Sequence, residues 1–309
     1  MVTTDQEGAV LVVWAVGAVG EIVEIVWVGE GVGRRGPYGA VGGEGLAFVT
    51  DAGVEIREWG NLKRARVLPA ELLPGGGRGR EVAWSPDGRL LAVASGGQVV
   101  VIDVERMVRH DVSVGDHAGF GDWACVPEFS PDGRYLGVGN SRQGGWWYTM
   151  LRVGSDGALA YGFDYEPGDI PVVGGDNLTG AVAFTPDNAR VASWVYRAPG
   201  HPDTDGPRGV LVLIDSDTGN LVWHRTIDDS LAGRPIRRPD RGSLCFTPDG
   251  TRLALGLDTG IIWLDAETGA PVHTESTGAV SAFAYAPHTG MLALTTRGPR
   301  RISWRATPR

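Results

Sequence analysis

Lysine and cysteine are nearly missing from this sequence. Of its 28 basic side chains only Lys63 is a lysine, which excludes most chemistry that uses a lysine amine and indicates the coding bias of a GC-rich bacterial genome. Two cysteines cannot build a disulfide framework in a chain of 309 residues. We expect Cys125 and Cys245 to be buried free thiols, as in a reducing compartment.

Long apolar runs and positive charge are also scarce. The apolar stretch 9–19 is too short to span a bilayer, and it follows Asp5 and Glu7 where a secretory signal would carry basic residues. A net charge of −9 and a pI near 5.2 argue against nucleic acid as the main ligand. We therefore expect a cytoplasmic protein that makes no use of a membrane.

One short motif recurs along the chain. It consists of an aromatic residue, Ser or Thr, proline, aspartate, and glycine or asparagine, and it stands at 84–88, 129–133, 184–188, 246–250 and, weakened, 285–290. Its prolines are 45, 55, 62 and 39 residues apart, a spacing typical of repeat architectures. The repeat therefore defines the organisation of the chain.

Each motif predicts a β-hairpin. Proline sets the first corner of the turn, aspartate accepts hydrogen bonds from the backbone that follows, and glycine tolerates a positive φ. Third strands are predicted at 99–103, 147–153, 210–215, 261–265 and 302–305, and fourth strands at 221–227 and 271–274. Four antiparallel strands per repeat form the blade of a β-propeller.

The pattern resembles WD40-type propellers and, more loosely, the TolB-like and YVTN-like bacterial propellers that share the Ser-Pro-Asp-Gly hairpin. The resemblance covers the chain from about residue 20 to its end. It departs from typical WD40 repeats, because no Trp-Asp dipeptide closes a third strand and the sole Gly-His pair, Gly200-His201, lies in a loop. It implies a propeller that serves as an interaction scaffold.

We predict an all-β fold with a single β-propeller over residues 1–309, built from six four-stranded blades. Seven blades are the alternative, because the two long repeats could hide a divergent one. Within the N-terminal segment 1–19, residues 10–15 are expected to complete the last blade, and strands at 21–28, 46–50, 54–59 and 63–68 are expected to form the first. The predicted blades are 20–76, 77–120, 121–172, 173–236, 237–277 and 278–309.

The candidate binding residues come from long connections. In the propellers that this chain resembles, the loops between second and third strands and those between blades open on one face. The 196–209 loop carries Arg197, His201, Asp203 and Asp205. Oxygen and imidazole ligands could hold a divalent cation there, but the prolines and glycine around them favour a solvated turn, so no metal is predicted.

Two further connections carry charged candidates. His117 follows Asp116 and precedes Asp122 in a loop where they could act as an acid–base pair, although an ordinary surface loop explains them as well. Another connection concentrates arginines, whose planar side chains suit carboxylate or phosphate, although a solvated loop is again the simpler interpretation. These arginines are Arg234, Arg237, Arg238 and Arg241.

The pair Trp146-Trp147 begins a predicted third strand. Adjacent residues of a strand point to opposite faces, so one indole is expected in the core. We expect the other, Trp146, to be exposed enough to anchor a partner.

These features favour a non-enzymatic scaffold: a monomeric propeller, without cofactor, that binds a protein partner on the loop-rich face around its central channel. One alternative is a hydrolase or lyase that uses carboxylates and histidines of these loops, with Asp169 and Asp176 among them. Another is a sensor that binds a small ligand. The sequence contains no nucleophile elbow, Walker loop or zinc signature that would favour the enzyme.

Overall fold

In a computed structural model, the secondary structure of the residues described below consists of β-strands and one 3-10 helix at Ala70–Leu72. The structure describes residues 2–4, 10–16, 22–30, 39–41, 45–50, 53–58, 61, 64–75, 80–95, 97–112, 120, 124–142, 145–166, 177–197, 209–227, 244–257, 259–278, 280–286, 291–296 and 302–306. The described strands form seven sheets, of which five have four strands and two have three. This architecture confirms the predicted all-β class.

The first three sheets, in chain order, occupy residues 2–111. The N-terminal sheet contains β1 (Val2–Thr4), β2 (Val10–Val16) and β3 (Ile22–Glu30). The second sheet contains β4 (Gly39–Val41), β5 (Gly45–Thr50), β6 (Gly53–Glu58) and β7 (Ala65–Val67). The third sheet contains β8 (Arg80–Trp84), β9 (Leu90–Ser95), β10 (Gln98–Asp103) and β11 (Val108–Asp111).

The remaining four sheets follow the predicted repeats. The fourth sheet contains β12 (Ala124–Phe129), β13 (Tyr135–Arg142), β14 (Gly145–Val153) and β15 (Leu159–Tyr165). The fifth contains β16 (Asn177–Phe184), β17 (Arg190–Arg197), β18 (Gly209–Asp215) and β19 (Leu221–Ile227). The sixth contains β20 (Leu244–Phe246), β21 (Arg252–Leu257), β22 (Gly260–Asp265) and β23 (Pro271–Ser276). The last sheet contains β24 (Val280–Ala286), β25 (Met291–Thr296) and β26 (Ile302–Ala306).

The N-terminal region departs from the prediction. Strand β2 pairs with β1 and β3, so the expectation that residues 10–15 complete the last sheet is wrong. Strand β3 lies in this same N-terminal sheet, and the second sheet takes β4 as its first strand where the sequence had suggested residues 21–28. The described strands therefore form one sheet more than the six that were predicted.

Three middle strands are buried over all or nearly all of their length. All six residues of β9 are buried, and so are six of the seven in β18 and five of the six in β22. Continuous apolar runs with β-branched residues are typical of strands that are covered on both faces. The third, fifth and sixth sheets, which contain these strands, must therefore be covered from two sides.

Contacts divide the chain into two compact units, residues 1–136 with 151–161, and residues 137–150 with 162–309. In the first unit, one core joins the second and third sheets through Ile56, Leu91 and Ile102. In the second unit, one core joins the fifth and sixth sheets through Trp194 and Leu253. Each core consists of side chains from adjacent sheets that pack face to face.

Three aromatic rings on fourth strands pack against glycines in the turn between the third and fourth strands of the following sheet. The pairs are His110 with Gly157, Phe163 with Gly219, and Trp223 with Gly269. A Cβ at Gly269 would lie 2.8 Å from the Trp223 ring, and the φ of +67° there also favours glycine. The indole nitrogen of Trp223 donates to the carbonyl of Ala266 at 3.0 Å. This contact fastens the fifth sheet to the sixth.

The third sheet has Met107 at the corresponding turn position, with a φ of 56° that few residues other than glycine adopt. The preceding fourth strand, β7, carries Arg66, which donates to the carbonyl of Val104 at 3.2 Å. The Met107 side chain packs against the core of the first unit. In this turn Met107 therefore provides an apolar contact, whereas β7 beside it provides no aromatic ring.

The Trp223→Ala variant should lower the free energy of unfolding by about 2 kcal/mol, because a large, half-buried ring and one hydrogen bond are lost. Val222→Ala on the same strand is the control, since that side chain is 38% exposed and its truncation should change stability by about 0.5 kcal/mol or less. Chemical denaturation followed by tryptophan fluorescence and circular dichroism measures both. Equal stability of the two variants would contradict the fastening role.

Candidate functional site

The two ends of the four-stranded sheets differ. Connections from first to second and from third to fourth strand lie at one end, here called the turn end, and have four or five residues each in the third to sixth sheets. The connections at the opposite end, the loop-bearing end, include the long segments 112–123, 166–176, 198–208 and 228–243. Variation in length is therefore confined largely to the loop-bearing end.

The turn end repeats one set of hydrogen bonds. In the sixth sheet, the Thr247 hydroxyl donates to Oδ1 of Asp249 at 2.6 Å, and the same oxygen accepts the N–H of Thr251 at 3.1 Å. The Thr247 hydroxyl oxygen accepts the N–H of Arg252 at 3.0 Å. The same bonds join Ser85 with Asp87, Ser130 with Asp132, and Thr185 with Asp187.

These bonds favour the ionised aspartates. A threonine hydroxyl, together with the following backbone N–H, holds the pKa of Asp187 and of Asp249 below its usual value. At Asp87 and Asp132 partial burial pushes the pKa upward, but hydrogen bonds to the carboxylate outweigh it and the pKa is again lowered. The aspartates of the turn end are thus ionised and held by hydrogen bonds, an arrangement that does not suit acid–base chemistry.

A buried polar network lies at the loop-bearing end of the fourth sheet. The Thr149 hydroxyl donates to Oδ1 of Asp164 at 2.7 Å and accepts from Nδ2 of Asn140 at 3.0 Å. Thr179, on the first strand of the fifth sheet, donates to the Asn140 carbonyl at 3.0 Å. Asn140 and Thr149 are fully buried. The network thus ties the fourth and fifth sheets together.

Two glycines permit close approach at this end. A Cβ at Gly139 would lie 2.3 Å from Cγ2 of Thr179, so only glycine lets the two sheets come this near. A Cβ at Gly209 would lie 2.1 Å from the Trp194 ring. Trp194 is fully buried, and in the described part of the chain its indole nitrogen has no hydrogen-bond partner. A buried polar network and a large buried indole therefore lie at the loop-bearing end of the fourth and fifth sheets.

Trp146 does not present an exposed anchor. Both Trp146 and Trp147 are 4% exposed, and the Trp146 ring contacts that of Tyr165 with centroids 6.4 Å apart. The expectation failed because β14 is a middle strand that is covered on both faces, so alternation leaves neither indole at the surface. Burial raises the pKa of the Tyr165 hydroxyl in this contact.

The other candidate residues lie outside what the structure describes. The side chain of Arg197 and all of His117, His201, Asp203, Asp205, Arg234, Arg237 and Arg238 belong to this group. So do Asp116, Asp122, Asp169, Asp176 and Arg241. Their roles stay predictions. The sequence search missed Asn140, Thr149 and Thr179, although polar residues inside apolar strands are a signal that could have pointed to them.

The cysteines are free, with Cys125 buried and Cys245 half-buried, and burial raises the pKa of both thiols. Such thiols stay protonated and are poor nucleophiles. Glu128 on β12 has an exposed side chain, and crowding by the protein around its carboxyl raises the pKa of that group above its ordinary value.

Metal ligands do not gather in the described residues: no group of three or more His, Cys, Asp or Glu side chains there could hold an ion. Within the same residues, no helix has the length and apolar character needed to cross a membrane.

No family model and no curated protein matches this sequence. Among solved structures, a chain of hydrazine synthase from Kuenenia stuttgartiensis is similar, with a TM-score of 0.67 and 16% sequence identity. The similarity covers 99% of this chain and 94% of that one. Because 944 chains of known structure match, the fold is widely shared and selects no function by itself. The likeness and the four-stranded sheets together support a propeller-like fold.

Acid should destabilise the turn end. The folded-state pKa of Asp187 and Asp249 is depressed below the ordinary 3.8, so their stabilisation is complete above that pH and is lost as the pH falls through it towards the folded-state values. A double variant, Asp187→Asn with Asp249→Asn, should lose less unfolding temperature than the parent between about pH 5 and about pH 3. Calorimetry over this range tests it, and equal losses in both proteins would contradict it.

Replacing Thr149 by valine should lower the free energy of unfolding by about 1 to 3 kcal/mol, because Asp164 loses a donor and Asn140 an acceptor inside the protein. Thr274→Val on the exposed strand β23 is the matched control and should change it by about 0.5 kcal/mol or less. Urea denaturation measures both variants. Should Thr149→Val prove as stable as its control, the network would not be what joins the fourth and fifth sheets.

Proposed function

We propose that this chain is a non-enzymatic scaffold that binds a protein partner at the loop-bearing end of its sheets. The observation that carries the proposal is the contrast between the two ends. The turn end repeats the same hydrogen-bonded turns, whereas the strands at the opposite end are joined by long connections of unequal length and carry a buried polar network. Loops held by a rigid scaffold are where binding surfaces commonly arise.

The proposed architecture is one propeller, of the WD40-like or TolB- and YVTN-like kind, whose blades are the seven sheets. The seventh sheet supports the alternative count over six blades, and it arises in the N-terminal region rather than within either long repeat. The propeller is proposed to be monomeric. It is also proposed to be cytoplasmic, since two free cysteines suit a reducing compartment.

The proposed partner is acidic where it meets the connection 228–243. Four arginines crowd this connection in a chain whose net charge is −9. Arginine binds carboxylates through paired, charge-assisted hydrogen bonds, which suits recognition of an acidic segment. Arg234, Arg237 and Arg238 are the side chains assigned to this contact, with Arg197 and His201 on a neighbouring connection.

An acid–base enzyme is the second candidate, and one observation favours it. Glu128 has an exposed side chain on β12 that a substrate could reach, and the protein around it raises the pKa of its carboxyl in the direction that suits a general acid. The similar hydrazine synthase chain bears an enzyme's name, but at 16% identity it supports the fold only. Under this alternative, Glu128→Gln would abolish turnover and leave partner binding intact.

Purification of the tagged protein from its native host tests the scaffold. We expect a stoichiometric protein partner, identified by mass spectrometry, that is lost when Arg234, Arg237 and Arg238 are all replaced by serine. The matched control replaces three exposed arginines by serine, at 106 and 134 in the turn end and at 152 on β14. This control changes the net charge equally and should keep the partner.

Two results would overturn the proposal. A protein that purifies alone as a monomer would leave the loop-bearing end without a partner. A partner released equally by both triple variants would respond to net charge and not to the connection 228–243.

A further inference from the structure

We propose that the outer edge of the fifth sheet, strand β19, binds an extended segment of a protein partner that carries an acidic residue between apolar ones, as an added strand. This inference rests on the proposed scaffold function, and it names a second contact and its chemistry. It starts from the order of the fifth sheet, β16-β17-β18-β19, in which β19 is an edge strand. Leu221 and Val222 each keep 38% of their surface exposed, and His224 is also exposed, so this edge is open to a partner.

The fourth strands of the other four-stranded sheets carry features that discourage strand pairing. Strands β7 and β11 have three and four residues. Strand β15 contains Gly162 and Asp164, whereas β23 begins at Pro271 and carries Glu275. Strand β19 has seven residues and contains no proline, glycine or carboxylate. Short length, proline and charge are the usual protections of an edge strand, and of these β19 has only the charge of Arg225.

The backbone of β19 has hydrogen-bonding groups in the phase that an added strand requires. The N–H of Asp215 donates to the carbonyl that precedes β19 at 2.9 Å, so the N–H of Leu211, on the same side of β18, points to its pair Arg225. Since groups alternate along a strand, the N–H and C=O groups of His224 and Thr226 face away from β18. These four groups have no partner in the described part of the chain, so a strand beside β19 could bond to all of them.

Arg225 gives this edge its charge. Its Nε donates to the carbonyl of Gly269 at 2.9 Å, which holds the side chain on the face of the fifth sheet that turns toward the sixth. Its two terminal nitrogens have no partner among the described residues. A residue of an added strand directly opposite Arg225 would have its Cβ about 5 Å from the Arg225 Cβ, so a glutamate there could bind the guanidinium.

The space beside β19 can hold an added strand. Ile262 belongs to the core that joins the fifth and sixth sheets, so its pair on β23, Thr274, turns toward the fifth sheet. Thr274 is nevertheless exposed, and Trp223 on the facing strand is only half-buried. An apolar side chain opposite Trp223 would cover the open part of that ring. The site therefore favours an apolar residue two positions from the acidic one, on the same face of the added strand.

The sixth sheet carries the opposite charge at the same position. Trp223 and His273 hold equivalent places on β19 and β23, each paired two residues before the aspartate that ends the third strand. Two residues further on, the fifth sheet has Arg225 and the sixth has Glu275. An acidic side chain would be repelled at Glu275. Main-chain bonds alone would not distinguish the two edges, so charge directs the partner to β19.

The test uses the full chain and a fluorescein-labelled heptapeptide, Thr-Val-Thr-Glu-Thr-Val-Thr, whose valines and glutamate share one face. We expect saturable binding in fluorescence anisotropy, together with slower hydrogen exchange of the His224 and Thr226 amides. The affinity should fall about tenfold or more when lysine replaces the glutamate. It should fall as far when the amides of the two threonines beside the glutamate are N-methylated.

Variants locate the site. Arg225→Glu should weaken binding of the glutamate peptide about tenfold and strengthen binding of the lysine peptide by a similar factor, because the charge at the contact is reversed. Arg134→Glu in the turn end is the matched control and should change neither affinity. Thr226→Pro should abolish binding, because it removes one outward N–H. The reversed preference of Arg225→Glu keeps the test decisive if the proline variant unfolds, since an unfolded chain would not prefer the lysine peptide.

Strand addition at β19 is wrong if the glutamate peptide does not bind, if its N-methylated form binds equally well, or if Arg225→Glu and Arg134→Glu bind it alike. The scaffold proposal is judged separately, by the partner that co-purifies from the host. The variant with serine at 234, 237 and 238 should still bind the peptide, and loss of the peptide in that variant would place the contact on the connection 228–243 instead. A host partner without peptide binding would leave the scaffold standing and remove the strand addition.

Discussion

A sheet that is apolar on both faces is not stable alone in water. Strands β9, β18 and β22 are buried over all or nearly all of their length, so every sheet that contains such a strand needs a neighbour on each face. The side chains that cover these faces, such as Leu91 and Leu253, are fully buried between adjacent sheets. The requirement for cover on both sides accounts for the repeated sheets, and it leaves the ends of the strands as the places where the sequence can vary.

The two ends of the sheets satisfy their polar groups in different ways. At the turn end, hydroxyl, carboxylate and backbone bond to one another within five residues, as at Thr247 and Asp249, so that each corner is satisfied locally. At the loop-bearing end, polar groups are satisfied between sheets, as when Thr179 bonds the Asn140 carbonyl. Local bonds allow a turn to be repeated unchanged from sheet to sheet. Bonds between sheets, such as the one from Thr179, depend on the particular pair of sheets that they join. The end that differs from sheet to sheet is the one suited to recognise a specific partner.

The repeated motif made most of the strands predictable. Each Pro-Asp turn fixed the phase of its hairpin, and the third and fourth strands followed by apolar pattern, so that 221–227 was predicted with its observed bounds. The N-terminal region lacks that motif, and apolar runs alone could not assign β2 and β3 to a sheet. The alternation of side chains along a strand gave a wrong prediction at Trp146, because it assumes that one face of the sheet is exposed to solvent. The network around Asn140 depends on contacts between separate repeats, which a single sequence does not reveal.

Met107 shows that adjacent sheets are matched to one another. Where the fourth strand of the preceding sheet carries an aromatic ring, as at Trp223, the turn that contacts the ring has a glycine. Where that strand carries Arg66, the turn has Met107 at the same position, with a positive φ. A sheet moved to another place in the chain would meet the wrong neighbour, with a ring forced against Met107 or a gap beside a glycine. The order of the repeats therefore depends on the contacts between each fourth strand and the turn of the following sheet. A duplicated repeat would need compensating substitutions at its contacts with both neighbouring sheets.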